Sequence, residues 1–191
     1  MQPSDVVEAL APLVAVLDAL DATYYVGGSI ASALHGVPRT SVDVDLVVAL
    51  RDDHVSSLVR ALERDYYLDE ARIRDAVQRR RFFNVIHLAT MLKVDIFVAK
   101  ERPFDAEALR RASPQEVSVG SGDAFRVASA EDILLAKLEW YRAGGETSER
   151  QWTDVLGLLR VQEDRLDRAY ARHWASVLGV LDLLERAEEE R

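Results

Sequence analysis

The feature that most constrains the fold of this chain is a nine-residue segment in which two aspartates alternate with apolar residues. In residues 41–49, Asp43 and Asp45 alternate with valine and leucine before the run becomes wholly apolar. A period of two is typical of a β-strand with one buried face. The two aspartates then share the other face, about 6 to 7 Å apart along it. Because carboxylates at this spacing repel each other and suit divalent ions, the segment predicts a strand whose polar face meets solvent or metal.

A glycine pair precedes this strand. Residues 23–26 predict a short strand that Gly27 and Gly28 close, and a helix is predicted over residues 29–34. Thirteen residues separate Ser29 from Asp43. Without side chains in the way, backbone N–H groups at a helix N-terminus can approach a phosphate, and Ser29 adds a hydroxyl. The turn therefore predicts a phosphate-binding element, the alternative being a tight turn beside a solvent-facing strand.

A third carboxylate completes the set that a two-metal site requires. Asp95 lies in a predicted strand over residues 92–98, where Val94 and Ile96 occupy the opposite, core-facing positions. A buried aspartate without partners is costly, so aspartates on strands need solvent or metal. Asp95 is predicted to join the first two aspartates, the alternative being an exposed strand residue.

The remaining pattern predicts a mixed α/β (α+β) fold with a helical C-terminal part. Further helices are predicted over residues 4–20, 53–64, 69–80 and 104–111. Two hairpins are predicted, one from residues 82–88 and 92–98 and one from residues 116–119 and 125–127. Beyond residue 129 the spacing is helical, over residues 130–142, 149–160, 165–178 and 180–189. We expect a core over residues 1–128 with a helical region over 129–191 packed on it.

Composition excludes several classes of site and partner. The 191 residues include no cysteine, which excludes disulfides, zinc-thiolate sites and cysteine nucleophiles. A net charge of -9 argues against a protein that coats nucleic acid, although a local site remains possible. No apolar run approaches the length of a membrane span and the N-terminus lacks a basic signal region, so we expect a cytoplasmic protein without a membrane partner. The sequence does not predict an oligomeric state.

The motif set resembles a known superfamily. Gly-Gly-Ser, a spacer, Asp-x-Asp with apolar residues and a later strand aspartate resemble the nucleotidyltransferases of the DNA polymerase beta type. The string YYVGGSIASALHGVPRTSVDVDL is similar to the AbiEii-like branch, which includes abortive-infection and toxin proteins. The block AEDILLAKLEW…ERQWTDV resembles that branch's EDI-x-x-x-K-L and R-D-W-x-D-V elements, although Gln151 stands where an acidic residue is expected. The resemblance covers roughly residues 24–155, and Gln151 leaves any catalytic role of Asp154 open.

The resemblance implies the fold and the chemistry of that superfamily. The activity that we expect from it is metal-dependent transfer of a nucleoside monophosphate from an NTP to an acceptor hydroxyl, in a toxin or phage-defence component. The acceptor stays open between RNA such as tRNA, a protein side chain and a small molecule such as an aminoglycoside. The catalytic residues that the resemblance implies, which would also ligate Mg²⁺ or Mn²⁺, are Asp43, Asp45 and Asp95. The nucleotide-binding residues are Gly27, Gly28, Ser29, Arg39 and Lys137.

Each of the cationic residues has a functional and a purely structural interpretation. Lys137 is one of only three lysines beside 21 arginines, and it either reaches the triphosphate or is a helix-surface cation. Arg39 either anchors phosphate or fixes the loop before the strand. A dense cationic run either meets an acidic substrate such as RNA or forms a solvated helix face, and its members are Arg72, Arg74, Arg79, Arg80 and Arg81.

Two other functions use the same residues. The first is a catalytically weak nucleotide-binding or partner-binding module, similar to the antitoxin half of a two-component system. The second is a kinase-like phosphotransferase on the same fold. The sequence contains no Walker A loop, nucleophile elbow or dinucleotide fingerprint, which disfavours those enzyme classes.

Overall fold

The computed structural model describes residues 3–37, 43–116 and 122–191. They form two compact units, the first within residues 1–30 and 40–127 and the second within residues 31–39 and 128–191. Among these described residues, no helix is both long enough and apolar enough to cross a bilayer.

Every described strand belongs to the first unit, and together they form one mixed sheet. The strands are β1 (Tyr24–Val26), β2 (Val44–Val48), β3 (Tyr66–Tyr67), β4 (Phe82–His87), β5 (Lys93–Val98), β6 (Ser113–Glu116) and β7 (Ala124–Val127). Their order across the sheet is β3-β4-β5-β2-β1-β7-β6. The central strand β2 runs parallel to β5 and antiparallel to β1. Strands β4 and β5 form the first predicted hairpin, and β6 and β7 form the second.

The helices account for most of the remaining described residues. In the first unit they are α1 (Pro3–Ala19), a 3₁₀ helix (Asp52–His54), α3 (Val55–Leu62), α4 (Glu70–Gln78) and α5 (Pro103–Arg111). Helix α2 (Gly28–His35) begins in the first unit and ends in the second. The second unit also contains α6 (Ala130–Ala143), α7 (Glu149–Val161), α8 (Arg168–Leu178) and α9 (Leu181–Glu190).

One face of the sheet is the core of the first unit. Along β2 and β5 every second residue is buried, and Val44, Leu46 and Val94 have no exposed surface. The alternate positions on the same strands are only half-buried. The alternation places the apolar side chains in the core and leaves the polar side chains on a more accessible face.

Polar contacts connect the helices of the second unit to one another. Ser129 caps α6 by accepting a hydrogen bond from the Asp132 backbone N–H. The hydroxyl of Tyr170 on α8 donates to Asp132 at 2.7 Å. The side chain of Gln162, at the end of α7, donates to the backbone carbonyl of His35 at 2.6 Å. These contacts fix the start of α6 against α8, and the end of α7 against the end of α2.

The predicted elements agree with the structure except at three places. The predicted helix over residues 53–64 is divided into the 3₁₀ helix and α3, and the strand β3 was not predicted. The first described strand of the second hairpin is Ser113–Glu116, which begins three residues before the predicted strand, and residues 117–119 of that prediction lie outside the described part of the chain. Pairing with β7 stabilises that segment, although Ser, Pro and Gln have low strand propensity.

Candidate active site

The register between β2 and β5 brings two of the predicted carboxylates side by side. Asp45 and Asp95 are direct neighbours across the parallel strands, and Val44 and Val94 are neighbours on the buried face. The next strand, β4, places Asn84 opposite Asp95. Directly paired residues share a face of the sheet, so these three polar side chains form one row on the accessible face. Asn84 was not predicted, because only the strand pairing reveals its position.

A lysine lies between the carboxylates of the two strands. The ammonium of Lys93 is 2.8 Å from Asp95 Oδ2 and 3.5 Å from Asp43 Oδ1. The Lys93 side chain is 39% exposed and that of Asp95 is 14% exposed. The hydrogen bond to Asp95 raises the pKa of Lys93 above its ordinary value, and the charges of Asp95 and Asp43 add to this shift. Lys93 is therefore the counter-ion of the carboxylate set in this structure.

The sequence places Lys93 on the same strand face as Asp95, but its contact with Asp43 depends on the pairing of two strands. Lys93 is two residues before Asp95 on the same strand, as Asp43 is two residues before Asp45. Period two places both pairs on one face of their strands, yet only the parallel register shows that Lys93 comes next to Asp43. A lysine is a compact point charge on a flexible stem, which allows one ammonium to contact two carboxylates.

The glycine turn packs directly against Asp45. The Gly27 backbone N–H donates to the Asp45 carbonyl at 2.9 Å, and the Ser29 backbone N–H is 3.4 Å from Asp45 Oδ2. Gly28 has a φ of 50°, and a Cβ added there would overlap with the Asp45 carboxylate. The Ser29 hydroxyl is 3.4 Å from the Asp43 carbonyl. Glycine at position 28 thus leaves room for the Asp45 carboxylate beside the start of α2.

The donor set suits a hard divalent cation. Among the described residues, no group of three or more His, Cys, Asp or Glu side chains is placed to hold a metal ion together. The Lys93 ammonium nevertheless contacts the carboxylate of Asp43, directly before β2, and that of Asp95 on β5. Carboxylate oxygens are the ligands that Mg²⁺ and Mn²⁺ prefer. Asp43, Asp45 and Asp95 supply this donor chemistry, and their assignment as metal ligands stays a prediction.

Two further nucleotide contacts were predicted, Arg39 and Lys137. Arg39 is outside the described residues. Lys137 lies on α6 of the second unit, where its ammonium donates to Asp154 Oδ2 at 2.8 Å. The two side chains are only 12% and 8% exposed, so the alternative that Lys137 is a surface cation is wrong. The pair joins the two later sequence elements, and the assignment of Lys137 to the triphosphate stays a prediction.

Comparison with solved structures identifies the fold. The chain matches the solution structure of the antibiotic-resistance factor ANT(2'')-Ia with a TM-score of 0.55 and 16% identity, over 100% of both chains. It matches a crystal structure of ANT(2'')-Ia in complex with adenylyl-2''-tobramycin with a TM-score of 0.50 and 18% identity, over 96% of this chain and 98% of that one. An antigenic nucleotidyltransferase-like protein from Paracoccidioides brasiliensis matches with a TM-score of 0.50 and 16% identity, over 93% and 90%.

These likenesses concern the fold. No protein-family model and no curated protein sequence matches the chain. The predicted fold class, a mixed α/β sheet with a helical C-terminal part, is confirmed, and solved nucleotidyltransferase structures have a similar fold. The AbiEii-like branch stays a prediction.

Proposed function

We propose that the chain is a metal-dependent nucleotidyltransferase that transfers a nucleoside monophosphate from an NTP to an acceptor hydroxyl. The observation that carries this proposal is the pairing of Asp45 with Asp95 beside the Gly27–Ser29 turn. Carboxylates from two strands, next to backbone N–H groups at a helix start, are what a reaction on a triphosphate requires. The adenylyl-2''-tobramycin bound to ANT(2'')-Ia supports transfer to a hydroxyl on this fold.

Each residue of the site has a role in this proposal. Asp43, Asp45 and Asp95 hold Mg²⁺ or Mn²⁺, which when bound neutralises charge on the phosphates. The backbone N–H groups at Gly28 and Ser29 orient the triphosphate. The acceptor oxygen attacks the α-phosphorus in line, and pyrophosphate leaves. The proton of the acceptor hydroxyl passes to Asp95 and from there to solvent.

The finer assignments follow the sequence resemblance. The chain acts as an AbiEii-like enzyme in a toxin–antitoxin or phage-defence setting, in the cytoplasm. Residues 1–128 form the catalytic part and residues 129–191 the helical part. The sequence motifs support the AbiEii-like assignment. The unit boundary between Val127 and Ala128 supports the division of the chain near residue 128, although residues 31–39 belong to the second unit.

One observation favours a second candidate, a nucleotide-binding module with little or no turnover. The Lys93 ammonium already neutralises two of the carboxylates that a metal would require. If Lys93 keeps that position when nucleotide binds, the protein binds NTP without transferring NMP.

Two measurements test the proposal. Mg²⁺ or Mn²⁺ with a non-hydrolysable ATP or GTP analogue should raise the melting temperature, because a ligand that binds only the folded state stabilises it. Asp43→Asn with Asp45→Asn should abolish the metal-dependent part of this increase. The matched control is Asp52→Asn with Asp53→Asn, a second aspartate pair whose side chains are 55% and 69% exposed. A response of the first double variant equal to that of the control contradicts the metal site.

Label transfer identifies the reaction. Incubation with α-labelled NTPs, Mg²⁺ and cell RNA or lysate should label an acceptor, whereas γ-labelled ATP should not. Transfer of the γ-label instead identifies the kinase-like reaction. Metal-dependent binding without transfer of either label identifies the binding module.

A further inference from the structure

The accessible face of the sheet continues past the carboxylates into an aromatic pair. Phe82 on β4 is paired with Phe97 on β5, one row beyond the pair of Asn84 and Asp95. The two rings are in contact, with centroids 5.6 Å apart. Phe82 is 57% exposed, although a large apolar side chain in a strand is ordinarily covered. An exposed aromatic ring thus lies about 7 Å along the strands from the row of the proposed catalytic site.

Beyond the aromatic pair, the strands β2 and β5 lead into an open groove. The groove has a volume of about 530 Å³ and includes Ala49 and Ala99, which directly follow the two strands. Its apolar lining also includes Leu50, Pro103 and Leu109. Since a strand rises about 3.3 Å per residue, Ala49 is about 13 Å from Asp45. Carboxylates, aromatic rings and groove therefore follow one another along the same two strands.

The charged residues of the groove are mainly cationic. They are Arg51, Arg80, Lys100 and Arg102, with Glu101 as the one carboxylate among the described lining residues. Lys100 is exposed. Arg80 belongs to the dense cationic run of the sequence, and it donates to the Leu50 carbonyl at 3.1 Å and pairs with Glu101. A cationic rim over an apolar lining favours a ligand that combines negative charge with flat apolar surface.

The three arginines of the groove have acidic partners, and a phosphate could replace the partner of Arg51. Arg51 is 3.2 Å from Asp53, and both side chains are more than half exposed. Arg102 is 2.6 Å from Asp105, which is 13% exposed. Surface ion pairs contribute little to stability, so exchange of Asp53 for a phosphate on Arg51 costs little. The pair of Arg102 and Asp105 is less exposed, so Arg102 keeps its partner. Arg102 then attracts the phosphates by its charge without contacting them.

We propose that this face binds a single-stranded nucleic acid, with a base stacked on Phe82 and the backbone phosphates along the groove. Stacking on exposed aromatic side chains beside cations is how proteins bind single strands without reading their sequence. Asp45 and Asp95 lie on the same two β-strands as the groove, toward their other ends, and we assign the end of the nucleic acid that reaches them as the acceptor. Only this last step rests on the proposed function. A polycationic acceptor does not fit, because the groove would repel it.

Binding is tested in the absence of metal and NTP. Fluorescence anisotropy would follow short labelled single strands of RNA and of DNA, titrated with the full chain at 50 to 200 mM salt. Saturable binding of either is expected, with affinity that falls as salt rises because phosphate contacts release counterions. Tighter binding of RNA would show that the 2′-hydroxyl is also read. No binding of either strand at the lowest salt would overturn the proposal.

The aromatic contact has its own variants. Phe82→Leu keeps an apolar side chain but removes the ring, and affinity should fall roughly 5- to 100-fold. Phe82→Tyr keeps the ring and should bind as the wild type does. The control is Met91→Ala, which removes a 70% exposed apolar side chain elsewhere in the first unit and should change nothing. Equal affinities of the wild type and Phe82→Leu, both folded by circular dichroism, would overturn the stacking role.

The cationic contact is tested by charge. Lys100→Met should weaken binding of all sequences and lower the salt slope by about 1. Arg72→Met, which removes an 85% exposed cation from the same run as Arg80, is the control and should leave the affinity and the salt slope unchanged.

A protein that transfers NMP to a small molecule but binds no single-stranded nucleic acid contradicts this inference alone. A protein that binds strands but transfers no label contradicts the proposed function alone.

Discussion

Replacement of Lys93 by methionine should tighten the binding of Mn²⁺ to the protein. The Lys93 ammonium is 2.8 Å from Asp95 Oδ2 and 3.5 Å from Asp43 Oδ1, and a divalent ion on these carboxylates must displace it. Lys93 is 39% exposed, so each pair is screened by solvent and worth about 1 kcal/mol or less. Displacement therefore costs about 1 to 2 kcal/mol in the wild type and nothing in the variant. The expected gain in Mn²⁺ affinity is roughly 5- to 30-fold.

Calorimetric titration of Mn²⁺ into the metal-free proteins measures this difference. Mn²⁺ is preferred to Mg²⁺ because it binds oxygen and nitrogen sites more tightly. Lys100→Met is the matched control, since it removes the same charge from the same unit without touching the carboxylates, and its Mn²⁺ affinity should equal that of the wild type. Without metal, Lys93→Met should be about 1 to 2 kcal/mol less stable, because the carboxylates then repel each other without a counter-ion.

The Mn²⁺ affinities of the two variants decide whether Lys93 competes with the metal ion. If Lys93→Met binds Mn²⁺ no more tightly than Lys100→Met does, the lysine does not compete with the metal. If the variant binds free Mn²⁺ more tightly but the Mn²⁺–nucleotide complex more weakly, the displaced ammonium contacts a phosphate instead.

Three further substitutions have outcomes that the structure determines. Gly28→Ala should lose metal-dependent nucleotide binding, because its Cβ would overlap with the Asp45 carboxylate. The control is Gly179→Ala, which has a similar positive φ but open space around it and should cost only about 1 kcal/mol in unfolding free energy. Lys137→Met should cost about 3 to 5 kcal/mol in urea unfolding because it leaves a buried charge, and Lys137→Met with Asp154→Leu should recover at least about 2 kcal/mol. Burial raises the pKa of Tyr66 from its ordinary value of 10.0 to about 12, so this tyrosine ionises in the unfolded chain before it does in the folded protein. Between pH 9 and 11 the unfolding free energy of the wild type should therefore fall by about 1 to 2 kcal/mol more than that of Tyr66→Phe. A Tyr66→Phe protein with the same alkaline loss in urea midpoints would contradict the assignment.

The local elements of the fold could be predicted because their signals are local. Helical spacing, capping residues and period-two alternation lie within windows of about ten residues, and the structure agrees with them over most of the chain. The exceptions arise from tertiary pairing. Tyr66 and Tyr67 form a strand because they pair with His87 and Ile86 of β4, and no local pattern distinguishes them from the end of the preceding helix.

The sequence predicts the three aspartates of the candidate site but not the ion pairs around the lysines. Asp43, Asp45 and Asp95 were chosen from strand alternation, and the structure brings Asp45 and Asp95 together. Lys93 was not chosen, because its second contact is with a residue fifty positions earlier in the chain. The sequence also suggested that Lys137 is either a phosphate ligand or a surface cation, whereas its nearest carboxylate is a buried partner on another helix. Ion pairs between distant segments depend on register and helix packing, which a single sequence does not display.

The register of β2 and β5 connects the stability of the core with the proposed chemistry. Val44, Leu46 and Val48 are completely buried, and so is Val94, while Ile96 is 1% exposed. A shift of one strand by one residue would move its apolar set to the accessible face and bury its aspartates, at a cost of several kcal/mol for each unpaired carboxylate. The core thereby selects the register, and the register sets Asp45 beside Asp95, Asp43 near Lys93, and Phe97 one row farther along. Substitutions such as Leu46→Ala should therefore affect metal binding through strand alignment as well as through the free energy of unfolding, although no atom of Leu46 belongs to the site.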